Sequence, residues 1–282
     1  MSAKKLNRST GVNIALFLFL SVFGLFMFLP ILYAFISAFK PLDELFIYPP
    51  RFFVQRPTME NFSSMFQLTS NLWVPFSRYL FNTVLVSGLG TVIYVYIAAL
   101  CAYPLAKIKF KGKKVIYGGI IMALLFTPET ILIPRYIILS GAGLINTHAA
   151  VLFPIWAGSM GVFLLERFMV QFPDEVIESA EIDGAGQFHI LNRIILPNMK
   201  PALFTAVIFT FNTIWNTVGT DVLYSENLKM LPTVLRTLSA GGITRAGVSS
   251  AAAMFMLLPP FIIFILLQSQ VIETMAHSGL KS

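Results

Sequence analysis

Residues 9–39 read STGVNIALFLFLSVFGLFMFLPILYAFISAF, a run from Ser9 to Phe39 without one charged side chain. At 1.5 Å of rise per residue, about 20 such residues already cross the hydrocarbon core of a bilayer. The run is much longer than the apolar region of a secretory leader, and no small-residue cleavage site follows it. It reads as a retained first membrane span, preceded by Lys4, Lys5 and Arg8.

The rest of the chain repeats this pattern. Of 282 residues, 56% are hydrophobic and 12% charged, about half the charged share of a soluble domain. Further apolar runs extend from about Tyr79 to Ala106, Val115 to Leu139, Ala149 to Phe168, Pro201 to Thr220 and Ser250 to Val271. With the first, from about Asn13 to Phe39, they predict an all-α integral membrane protein with six transmembrane helices in one domain over residues 1–282. The third run is interrupted by Glu129 and Arg135, flanked by Pro128 and Pro134. Charges at membrane depth mark a pathway or gate, a pairing with another subunit, or exposure at the outer interface. The prolines predict a break or kink there.

A net charge of +7 could point to nucleic acid, but the positives cluster in short loops between apolar runs. Lys107, Lys109, Lys111, Lys113 and Lys114 fill the connection between the second and third runs, with no acid among them. Short basic loops face the cytoplasm. Both termini then face the cytoplasm too, and nucleic acid is not an expected partner. Cys101 is the only cysteine, so no intrachain disulfide forms. His148, His189 and His277 lie far apart without metal-ligand spacing. No nucleophile–base motif is present, so the reading is a transporter without catalytic residues.

One segment on the cytoplasmic side is not a simple connector. From Val170 to Lys200 the chain is amphipathic rather than apolar, with the informative part at about residues 172–197. Pro173 suits the start of a helix, and Asp174 and Glu175 favour its positive end. Gly184 follows a helix-compatible run, where a left-handed turn costs glycine little. Phe188, Leu191, Ile194 and Ile195 then recur at helical spacing before Pro197. Glu178, Glu181 and Asp183 form an acidic edge where lysine is usual. On these residues alone, the pair could cap its own bundle or dock into a partner's groove.

The pattern Glu178-Ser179-Ala180, Gly184, then Ile194-x-Leu196-Pro197 resembles the EAA loop of ABC-transporter permeases, with Ser179 where alanine is usual. The phrase Asp183-Gly184-Ala185 is similar to the carbohydrate branch, the maltose-type permeases of bacterial binding-protein-dependent importers. Pro57-Thr58-Met-Glu-Asn61-Phe62, Phe81-Asn82-Thr83, Ala102-Tyr103-Pro-Leu-Ala106, Leu144-Ile-Asn146-Thr147 and Trp215-Asn216 look like family landmarks in family order. The tail Gly279-Leu280-Lys281-Ser282 looks like a variant of the family's terminal Gly-x-Val-Lys-Gly.

The resemblance implies the type I importer permease fold in the bacterial cytoplasmic membrane, with a coupling helix at about Asp174 to Ile182. It implies a second permease subunit, two ATPase subunits and an extracytoplasmic solute-binding protein as partners. Glu178 would pair with a basic ATPase residue, Ala180 would allow close approach, and Gly184 would make the bend. Gly279, Leu280 and Lys281 would be tail contacts to the ATPase. ATP and Mg would bind that partner, because no Walker pattern is present; Gly112-Lys113 lacks the upstream glycine. Asn212, Trp215 and Asn216, near one face of the fifth run with Thr205, suit a sugar's hydroxyls and C–H faces. They equally suit hydrogen bonding between helices. An importer for another solute, an ATP-independent carrier or channel, and a structural or sensory subunit are the alternatives.

Overall fold

The computed structural model describes residues 10–70, 74–219 and 221–278, with side chains described up to Ser269. Lys4, Lys5, Arg8, Thr220 and the tail residues Gly279, Leu280 and Lys281 fall outside the described residues. The helices in chain order are α1 (Thr10–Ala38), α2 (Leu42–Leu45), α3 (Glu60–Ser70), α4 (Phe76–Lys107), α5 (Lys113–Ala123), α6 (Leu132–Gly141) and α7 (His148–Trp156). There follow α8 (Ser159–Val170), α9 (Asp174–Ile182), α10 (Gln187–His189), α11 (Leu196–Asn198), α12 (Lys200–Trp215), α13 (Leu231–Ser239) and α14 (Ala246–Ser278). A π-helical turn, Ile190–Ile195, joins α10 to α11.

Among the described residues, four helical stretches are long and apolar enough to cross a membrane: Gly11–Ala38, Phe76–Lys107, His148–Val170 and Ile243–Ser269. Neither of the other two expected spans is a long unbroken helix. The fifth is α12, Lys200–Trp215, a short helix bent by 84° from the preceding Gln187–Asn198. The third is broken: α5 ends at Ala123 and α6 resumes at Leu132. Pro128 lies in the break, where it disfavours helix at the preceding residue. Pro134 sits in the first turn of α6, where its missing N–H is harmless.

The chain forms two compact units, Met1–Leu68 with Thr237–Phe255, and Thr69–Arg236 with Met256–Ser282. In the first, no residue of the apolar window of α1 is buried, as befits a helix apolar on every side. A knot of polar groups closes its C-terminal end, where helix carbonyls lack partners. Asn61 Nδ2 donates to the carbonyls of Ala38 at 2.9 Å and Lys40 at 2.7 Å. Glu44 accepts the backbone N–H groups of Gln55 and Arg56. Lys40 is buried, its ammonium donating to the Arg51 carbonyl and lying over the Tyr33 ring.

The second unit is organised around α4, against which α7, α8 and α12 pack. Its buried positions advance in steps of three and four: Asn82, Thr83, Val86, Ser87, Gly90, Thr91, Tyr94, Val95, Ala98, Ala99 and Ala102. Most are small, which is how helices approach closely where lipid supplies no hydrophobic drive between them. A Cβ on Gly90 would lie 2.6 Å from Leu152 Cδ2 and 2.9 Å from Ile214 Cδ1, so α7 and α12 both close on this one position. Tyr94 pins the break between α7 and α8: its hydroxyl donates to the Gly158 carbonyl at 3.0 Å and accepts from the Gly161 N–H at 2.8 Å.

Overpacking at such a contact costs about 1–3 kcal/mol. Gly90→Leu is expected to lower the yield of monodisperse protein extracted from membranes. Gly24→Leu, where an added Cβ meets nothing within 4 Å, is expected to leave that yield unchanged.

Candidate functional site

The amphipathic segment folds as its residues indicate. Pro173, in extended conformation, caps α9 rather than opening it, and Asp174 and Glu175 occupy the first turn. The helix ends where glycine is needed: Gly184 has φ of 84°. The Ala185 N–H donates to the Ala180 carbonyl at 2.9 Å and the Gly184 N–H to the Glu181 carbonyl at 3.0 Å. This is a Schellman closure, which satisfies the last helix carbonyls through a left-handed residue.

One face of α9 is seated and the other is free. Ile177 and Ala180 are buried in a cluster with Ala102, Tyr103, Leu165, Met169, Leu191 and Ile195. Ala180 is thus buried within the chain's own cluster, beside Ile177. Its spacing of three from Ile177 puts it on the helix's inner side. Glu175, Glu178, Ser179, Glu181 and Asp183 are exposed. Ile182 and Phe188 are exposed too, at 85% and 72%, flanking the glycine turn. These two apolar side chains extend the acidic surface; the helical spacing of Phe188 with Leu191 and Ile195 reads as an inward face, and Ile182 carries no local signal. Ile194 and Leu196 are half-buried against the same cluster, and Pro197 is exposed at the start of α11.

Three contacts anchor this segment to α4. Lys107 Nζ donates to the Phe172 carbonyl at 2.5 Å and to Asp174 Oδ1 at 2.6 Å. Tyr103 donates through its hydroxyl to Gln187 Oε1 at 2.5 Å, and Gln187 Nε2 donates to Glu181 Oε1 at 2.7 Å. The hydrogen bond from Lys107, then its charge, holds the Asp174 carboxyl below the usual carboxylate range. A depressed carboxyl stabilises the fold above its unfolded pKa and loses that contribution only as pH falls through the lower, folded value. The tie at Lys107 is thus complete at neutral pH. In the sequence Lys107 stands only as one of five orientation lysines.

Within the same unit a cavity of about 520 Å³ opens between α4, the α5–α6 break, α7–α8 and α12. Tyr94, Ser159, Thr210, Thr213 and Thr217 give it hydroxyls; Phe126, Pro154 and Phe209 give it apolar wall. At its edge Arg135 donates to the Asp221 carboxylate, so this charge near the third span has its partner inside the chain. The expected path residues lie elsewhere on α12. Trp215 is buried, at 1% exposure, and its indole donates to the Met256 carbonyl at 3.0 Å, which makes it a tie between α12 and α14. Asn212 and Asn216 are exposed and paired, Asn216 Nδ2 donating to Asn212 Oδ1 at 2.6 Å. Of the histidines, His148 bonds through Nε2 to the Leu228 carbonyl, a structural contact.

The family model for binding-protein-dependent transport system inner membrane components matches residues 10–220. The chain belongs to that family, and is a membrane-embedded permease of the ABC class. It is 30% identical over 279 residues to the probable ABC transporter permease protein YurM of Bacillus subtilis (strain 168), covering 96% of this chain and 88% of the relative. It is 26% identical to the arabinooligosaccharides transport system permease protein AraQ of the same organism, covering 95% of this chain and 96% of the relative. In fold it matches a chain of a bacterial ABC transporter involved in import of the acidic polysaccharide alginate. That match has a TM-score of 0.73 and 20% identity, over 93% of this chain and 98% of the other.

A side chain in the left-handed region costs roughly 1–2 kcal/mol. Gly184→Val is therefore expected to loosen the end of α9. Amide hydrogen exchange over residues 174–185 should quicken in the variant while exchange in α4 stays unchanged.

Proposed function

We propose that this chain forms half of the translocation pathway for a sugar or oligosaccharide and couples it to ATP hydrolysis on separate ATPase subunits. The observation that carries the reading is α9: an acidic helix fixed to the bundle by one face, with the other face free for a partner. Glu178 is the residue we assign to a basic ATPase side chain, with Ser179, Asp183, Ile182 and Phe188 around it. Gly184 sets the angle at which the helix is presented, and Ile194, Leu196 and Pro197 carry the chain back to α12. ATP and Mg bind the ATPases, and this chain supplies no nucleotide site.

The complete assembly in this reading has a second permease subunit, two ATPase subunits and an extracytoplasmic solute-binding protein. The lysine loop, α9 and both termini face the cytoplasm, as five lysines in one short connection support. The exposed amides of Asn212 and Asn216 are poorly suited to hydrocarbon. They support an α12 face turned to the solute or to the second permease. The relative named for arabinooligosaccharides supports a carbohydrate cargo. The hydroxyl groups around the cavity are compatible with one.

Breaking one half of a buried charge pair costs about 3–5 kcal/mol. Glu178→Lys is expected to abolish ATP-driven uptake in cells while leaving the permease in the membrane at its normal level. Uptake at the unmodified rate would overturn the assignment of α9 to the ATPase.

A further inference from the structure

The helix that seats α9 also holds a segment of the same unit at its other end. At its N-terminal end, Asn82 Nδ2 donates to the carbonyls of Asn227 at 2.8 Å and Lys229 at 3.0 Å. The Leu231 N–H donates to Thr83 Oγ1 at 2.7 Å, and the Tyr79 hydroxyl donates to Glu226 Oε2 at 3.2 Å. With Arg78 Nε donating to the Asn227 carbonyl at 3.4 Å, four polar side chains of α4 thus grip one segment, Glu226–Leu231. At the other end Tyr103 and Lys107 grip α9 and its approaches, as described above.

Between these ends α4 is one continuous helix, Phe76–Lys107, with Pro104, which donates no N–H, in its last turn just beyond Tyr103. Thr83 and Tyr103 are 20 residues apart, about 30 Å along the axis, which is the thickness of the hydrocarbon core. Two other routes are interrupted or sharply bent: the α5–α6 pair breaks between Ala123 and Leu132, and α12 meets α9 through a π turn and an 84° bend. The α7–α8 stretch, His148–Val170, runs beside α4, and Tyr94 of α4 holds its joint at Gly158. A broken or sharply bent path absorbs displacement at its joint, whereas a continuous hydrogen-bonded helix carries it along its axis.

We propose that α4 is the strut through which the coupling helix and the extracytoplasmic segment Glu226–Leu231 read each other's state, with Tyr103, Lys107, Asn82 and Thr83 as its positioning residues. This rests on the transport reading above and assigns it a route. When the ATPases move α9, the Tyr103–Gln187–Glu181 and Lys107–Asp174 contacts move α4, and Asn82 and Thr83 move the outer segment. The same contacts run in reverse when a loaded binding protein displaces that outer surface, where Tyr224, Ser225 and Asn227 are exposed.

The test is ATP hydrolysis by the complete transporter in lipid, with and without its substrate-loaded binding protein. Thr83→Val removes the acceptor for Leu231 and keeps the shape; Thr83→Ser keeps the acceptor. Tyr103→Phe removes the inner contact. Basal hydrolysis should be unchanged in both Thr83 variants. The ratio of stimulated to basal rate should fall roughly 2- to 10-fold in Thr83→Val and in Tyr103→Phe, as loss of one hydrogen bond allows. It should stay near wild type in Thr83→Ser. Because the two contacts act in series, the double variant should be no worse than the worse single. Sites this far apart ordinarily act independently, so a double loss equal to the product of the singles overturns the strut. Full stimulation in Thr83→Val also overturns it, leaving the transport reading intact. A wild-type complex with no stimulation overturns both.

Discussion

The small-residue stripe of α4 is the constraint on which the second unit depends. Lipid is as apolar as leucine, so helices in it gain little by hiding apolar surface from their surroundings. They associate where backbones can come close. Ser87, Gly90, Thr91, Ala98, Ala99 and Ala102 provide that approach along one side of α4, and α7, α8 and α12 meet there. At Gly90 two helices converge, and the Trp156 indole adds a bond to the Gly90 carbonyl at 3.1 Å. The coupling helix inherits its position from this arrangement, since Ile177 and Ala180 rest in the cluster at the stripe's end.

A second constraint is the need to satisfy backbone groups where the chain leaves a helix. Side-chain amides do this repeatedly. Asn61 closes the end of α1; Asn82 holds the carbonyls of Asn227 and Lys229. Asn146, at φ of 62°, accepts the N–H groups of Tyr224 and Ser225. Each belongs to a short sequence phrase that looked like a family landmark. Each amide braces a turn or segment that would otherwise leave backbone groups unpaired, as Glu44 does for Gln55 and Arg56.

What the sequence disclosed follows from the range of each signal. Apolar runs, the glycine turn and the limits of α9 are local, and Asp174–Ile182 and Gly184 stand where their residues indicate. The break near Pro128 is also local. Pairings across the fold are not. Arg135 meets Asp221 across 86 positions, and Tyr103 meets Gln187 across 84. No periodicity encodes either. The inward turn of Ala180 and the burial of Trp215 were hidden for a related reason: a small residue or an indole suits an interface with any neighbour, and only packing selects which one. No periodicity marks that threonines 210, 213 and 217 of the α12 region line the cavity.

On our proposal, the free face of α9 is the contact through which a separate ATPase drives this permease. Site-directed cross-linking tests it directly. With Cys101, which is exposed, replaced by serine, a cysteine placed at Ile182 should cross-link to the ATPase subunit in native membranes. A cysteine at Ala180, on the buried side, should not. A cross-link from neither position, in membranes where the assembled transporter is active, would contradict the account.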